Sequence, residues 1–154
     1  MATLKTHVFV LFVAALFLGG CAQSISTSSV YIDESYLTDE FRNKLVSEVY
    51  EKAELLGGEC KLINSLRQVH VCNLKSGNPS LQLDIGYNPK NDFSITVTST
   101  YGHLFPPSEQ KVTSGYFIGA TQKELEEWMR SIVPNEAIIK ARRTYLDKDF
   151  IQKF

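Results

Sequence analysis

Cys60 and Cys72, with His70 just ahead of the second, are the residues whose types and spacing come closest to a reactive group. Thiolate and imidazole are the usual donors to zinc, so these three residues would be three ligands of a site. A second closely spaced ligand pair does not accompany them. Two cysteines at short separation instead form a disulfide wherever the compartment is oxidising. We therefore expect a Cys60–Cys72 disulfide, no metal and no cofactor.

Nucleophilic hydrolysis needs a serine or cysteine activated by an oriented base. Past residue 20 the chain has two histidines, His70 and His103, and no G-x-S-x-G or comparable setting for a nucleophile. His103, within Tyr101-Gly102-His103-Leu104-Phe105-Pro106-Pro107, reads as a loop residue. Glu124, Glu126 and Glu127 are of the type that glycosidases pair. They open a helix, however, where the macrodipole and solvent account for them. No residue is assigned a catalytic role.

A third cysteine stands at the end of the first apolar stretch. Lys5 precedes Val8–Leu18, which leads into Gly19-Gly20-Cys21. As a helix those residues span about 16 Å, against roughly 30 Å of bilayer hydrocarbon, which disfavours a permanent transmembrane helix. A charged start, a short apolar run and small residues are the pattern of a removable export signal. Leu18-Gly19-Gly20-Cys21 resembles the lipobox of bacterial lipoproteins, a resemblance confined to residues 1–21. It implies a diacylglycerol on the Cys21 thiol, removal of residues 1–20, and acylation of the freed amine. One acyl chain holds a protein marginally and two or more hold it stably, so the implied three chains would not let go. Ala22 occupies the position where the family's inner-membrane retention signal is an aspartate. The resemblance thus implies a place in the cell envelope at the outer membrane, facing the periplasm. Ordinary cleavage after Ala22, with Gly20 and Ala22 as its small residues, is the competing reading.

Of 154 residues, removal of the first 20 leaves 134, enough for one core but not for two. Losing Lys5 reduces 16 basic residues to 15 against 17 acidic ones. Such a balance argues against nucleic acid as a partner. Charge is unevenly placed: residues 135–154 hold 5 basic and 3 acidic, and residues 22–134 hold 10 and 14.

These groups need a scaffold. Residues 21–36, serine-rich over Ala22–Val30, read as a lipidated flexible tether. Thr38 is a good N-cap, Asp39 and Glu40 suit a helix start, and Gly57-Gly58 a helix end. Phe41, Leu45, Val49, Ala53 and Leu56 form one stripe between them, predicting a helix over 39–56. Leu81–Tyr87 and Phe93–Tyr101 alternate with period two and predict a hairpin, paired Tyr87–Phe93, Ile85–Ile95 and Leu83–Val97. A second hairpin pairs Cys60 with Cys72, Leu62 with His70 and Ile63 with Val69. Lys111–Ile118 suggests a fifth strand. Thr121 and Glu124 read as a capping box for a second helix that Pro134 stops. Residues 135–154 suggest a third helix with a basic, aromatic tail. The expected fold is α+β, a two-layer sandwich over 37–134. It has an antiparallel sheet of four to five strands and two to three helices.

Two segments are candidate partner contacts. One is the apolar, proline-stiffened Leu104-Phe105-Pro106-Pro107. The other is the C-terminal segment with Arg142, Arg143, Phe150 and Phe154. The function expected is a non-enzymatic binding or assembly module held to the membrane by its N-terminal lipid. Its partner would be another envelope protein or a cell-wall component. A periplasmic hydrolase using a histidine, or a small-ligand or inhibitor-type binding protein, are the alternatives.

Overall fold

In the computed structural model, which describes residues 22–77, 79–103, 120–145 and 150–152, the chain is built on one antiparallel sheet. The strands are β1 (Ala22–Ile32), β2 (Glu59–Asn64), β3 (Val69–Leu74), β4 (Ser80–Tyr87), β5 (Phe93–His103), β6 (Ile138–Tyr145) and β7 (Phe150–Gln152). Helix α1 (Asp39–Leu55) precedes β2, and α2 (Ala120–Ile132) precedes β6. The sheet order is β2-β3-β4-β5-β1-β6-β7. The fold is α+β as expected, but the sheet is larger: six strands of six residues or more, and a three-residue β7.

The most consequential difference is β1. Residues 22–30 belong to an inner strand, paired to β5 from Ala22 and also to β6 from Ser26, where a tether was expected. The serines that suggest a linker are buried: Ser26, Ser28 and Ser29 are each 5% exposed or less. Ser26, Ser28, Val30 and Ile32 alternate toward the helices, so period two was present but carried by hydroxyls.

The C-terminal segment also differs. Its expected third helix is β6, which lies along the second edge of β1 from Ser26↔Tyr145 to Ile32↔Ile138. Ile138, Ala141 and Tyr145 fit a spacing of three and four. The open edge of an inner strand nevertheless outweighs weak helical propensity. Residues 138–145 are thus part of the sheet rather than an appendage to a domain ending at 134.

Helix α1 follows its signals. The Thr38 hydroxyl accepts from the Phe41 amide at 3.1 Å, and Gly57 takes φ +69° after the C-cap. Leu45, Val49 and Ala53 are fully buried over the sheet. Helix α2 starts at Ala120, so Thr121 lies in its first turn instead of capping it. Leu125, Met129 and Val133 join the same core, and Lys52 of α1 sits 5.7 Å from the Trp128 ring centroid of α2. The helices therefore share one face, the second layer of the sandwich.

The β4–β5 register is the expected one, with Tyr87↔Phe93, Ile85↔Ile95 and Leu83↔Val97. In β2–β3, Cys60↔Cys72 and Leu62↔His70 also hold, but a bulge follows and Asn64, not Ile63, meets Val69. Gly86 explains the tight approach there: a Cβ on it would lie 2.5 Å from the Gln68 carbonyl oxygen. Lys111–Ile118 and Leu104–Pro107 lie outside the described residues.

Candidate functional site

Between the sheet and α2 lies a buried polar layer. Gln122, fully buried one turn before Glu126, donates from Nε2 to Ser26 Oγ at 3.0 Å and Ser28 Oγ at 2.9 Å. It accepts from Ser99 Oγ at 2.6 Å. Glu126 accepts from Ser28 Oγ at 2.5 Å and from Arg143 Nε at 2.8 Å, and a second guanidinium nitrogen of Arg143 donates to its other oxygen. Glu126 and Arg143 are 4% and 9% exposed. A charge pair survives burial only when the remaining donors and acceptors are matched in this way.

Two sequence expectations change here. Glu126 is not a solvated acid of a helix start, although Glu124 and Glu127 are exposed. Arg143 points into this layer, which removes it from the surface expected to meet a partner. The spacing of Gln122 and Glu126, four apart on one helix face, was a signal of a shared polar stripe.

Arg142 takes the opposite face, since successive strand residues alternate. Its guanidinium donates to the Tyr31 phenol oxygen at 2.8 Å, with its carbon 5.1 Å from the ring centroid. Lys140 reaches over the same ring at 4.1 Å, and 3.9 Å separates its ammonium from Asp92. Tyr31 went unnoticed in the sequence because it stands inside the supposed tether. Thr96 donates to Ser29 at 2.9 Å nearby. Asp84 completes this face: burial raises its carboxyl to about 6, although the Gln82 amide donates to both oxygens at 2.9–3.0 Å and works the other way.

Cys60 and Cys72 form a disulfide, Cα atoms 3.9 Å apart, so neither is a free thiolate for zinc. His70 is held by Tyr50, whose hydroxyl lies 2.9 Å from Nδ1 with the rings edge to face, and partial burial lowers the imidazole's pKa. The Tyr50 hydroxyl thus occupies the hydrogen-bonding position at Nδ1 of this imidazole. Among the described residues, no group of three or more His, Cys, Asp or Glu is arranged to hold a metal ion. His103 ends β5, opposite Ala22, rather than lying in a loop. Phe150 opens β7, and Phe154 lies outside the described residues. The expected contacts thus do not converge: Arg142 and Arg143 take opposite faces of one strand.

The chain matches no known family model, no curated protein and no solved structure.

Proposed function

We propose that this chain is an envelope lipoprotein, anchored through acylated Cys21 in the outer membrane with its domain facing the periplasm. That domain is a non-enzymatic module binding another envelope protein or a cell-wall component. The observation that carries the reading is Leu18-Gly19-Gly20-Cys21, one residue ahead of the strand that begins at Ala22. An acylated residue so close to an inner strand leaves the domain no slack. The Ala22–His103 end of the sheet is held at the headgroups, and confinement of this kind raises the effective concentration of the domain for anything else at that membrane.

Two features support binding over catalysis. The most concentrated polar chemistry among the described residues, from Ser26 to Arg143, is buried and hydrogen-bonded between the sheet and α2. His70 is tied to a phenol. The intact mass of protein extracted from membranes is expected to carry the acyl groups on a chain beginning at Cys21. Cys21→Ser is expected to abolish that mass and release the protein. A soluble wild-type protein beginning at Gln23 would overturn the anchor.

A further inference from the structure

The edge of the sheet formed by β2 is built as a firm surface and, among the described residues, is left open. Among the described strands β2 pairs on one side only, with β3. Its residues and the following turn expose large apolar groups: Leu62 at 52%, Ile63 at 63% and Leu66 at 95%. The turn itself is fixed. Arg67 N–H donates to Asn64 Oδ1 at 3.0 Å, and the Arg67 carbonyl accepts from Tyr87 N–H at 3.0 Å. Arg42 donates to the Gln68 side chain at 3.0 Å, holding a residue at φ +50°. The Cys60–Cys72 disulfide ties the other end of the hairpin. Exposed apolar side chains on a preorganised frame are what a docking surface needs, because little ordering remains to be done on binding.

The backbone states what would dock. At 3.9 Å between Cα atoms, Cys60 and Cys72 are a close, non-hydrogen-bonded pair of the antiparallel ladder. Alternation then turns the N–H and C=O groups of Cys60 and Leu62 outward, toward the open edge. We propose that this edge takes an extended polypeptide segment of another envelope protein by strand addition. That segment places apolar side chains beside Cys60 and Leu62, on the helix-bearing face, and an acidic one beside Lys61, on the other. Lysine and a bulge are the devices by which sheet edges resist indiscriminate pairing. Here the bulge after Leu62 limits the run to Glu59–Leu62, and Lys61 selects for acid.

The choice of occupant rests on the anchor reading above. The β2–β3 turn lies level with the Ile32 end of β1, about 30 Å along the strand from Ala22, which takes it away from the bilayer. Antiparallel pairing with a second copy is excluded by direction. Antiparallel pairing of two β2 edges reverses one domain and sends its Cys21 away from the membrane that holds the other.

The test uses the lipidated mature chain in nanodiscs and the blocked synthetic hexapeptide Thr-Val-Asp-Val-Thr-Val. Amide exchange at Cys60 and Leu62 is expected to be fast in the free protein and slowed by the peptide. Replacing the peptide's aspartate by lysine is expected to weaken binding about five-fold. Leu62→Asp, at an exposed position, is expected to abolish the slowing while exchange in β5 stays unchanged. The idea is overturned if the peptide slows neither amide, or if the aspartate and lysine peptides bind alike. It is also overturned if both amides are already slow without peptide, whether from self-association or from the chain's own cover. Repeating the titration with Cys21→Ser protein separates the edge from the anchor. Peptide binding by that variant sustains strand addition even where the membrane assignment fails.

Discussion

Under α1 the sheet presents Cys72, Leu83 and Ile85 to Leu45, Val49 and Ala53. Under α2 it presents Ser26, Ser28, Ser99 and Arg143 to Gln122 and Glu126, with Leu125 and Met129 alongside. Apolar contact of the first kind is non-directional and scales with the area removed from water, so it tolerates small shifts. Contact of the second kind is directional, and each missing partner leaves a buried group unsatisfied. The α1 half therefore secures the domain, whereas the α2 half fixes the register of α2 against β1 and β6. It does so with groups far apart in sequence: Ser28 and Glu126 are separated by 98 residues.

The sharpest way to break this comparison is to remove one charge of the buried pair. Glu126→Leu is expected to cost about 3–5 kcal/mol, because Arg143 loses the carboxylate that compensates its burial. Combining Glu126→Leu with Arg143→Met is expected to recover most of that loss, since a buried pair is often replaced by apolar groups at little cost. Urea unfolding of both variants measures the difference. If the single substitution costs under about 1 kcal/mol, the layer is not sealed from water as its geometry implies.

On the α1 side, Leu45→Ala is expected to cost about 3 kcal/mol, through lost transfer energy and the cavity left behind. No second substitution among charged residues should recover it. Joined to Glu126→Leu, the two losses are expected to add within about 0.5 kcal/mol, as distant sites do. A larger departure in the double-variant cycle would mean that the two halves behave as one cooperative core.

The α1 half was the legible one. A capping threonine, an apolar stripe and paired glycines state helix α1 locally, and the five-residue turn at Asn88–Asp92 sets the β4–β5 register. The disulfide followed from the spacing of the two cysteines and the expectation of an oxidising compartment. The α2 half was not legible, because its inward strand positions carry Ser26, Ser28 and Arg143, which by composition belong to linkers and surfaces. Their burial depends on Gln122 and Glu126, partners that no local window contains. Ile138, Ala141 and Tyr145 showed the same limit. Their spacing suits a helix, but the vacant edge of β1 decides. The outer face of the sheet was legible at Arg142 only as a basic residue. Tyr31 beneath it and the exposed β2 edge depend on sheet order.

Asp84 sharpens the comparison by the smallest effect. Like Glu126 it is a carboxylate withdrawn from water, but its bonded partner is the Gln82 amide, not a cation. Burial raises its pKa from 3.8 to about 6. The folded protein then binds this proton more tightly than the unfolded chain does. The stabilisation is fully present below the unfolded value near 4 and is lost as pH rises through about 6. Asp84→Asn keeps the size and one of the two acceptors for Gln82 but has no proton to lose. It is expected to stabilise the domain by about 1–2 kcal/mol at pH 7.5 and to change little at pH 4. Thermal unfolding of the two proteins across that range reads the difference directly, since other titrating groups are common to both. An unchanged gap between their midpoints from pH 4 to 7.5 would show that Asp84 ionises as freely in the folded protein as in the unfolded chain.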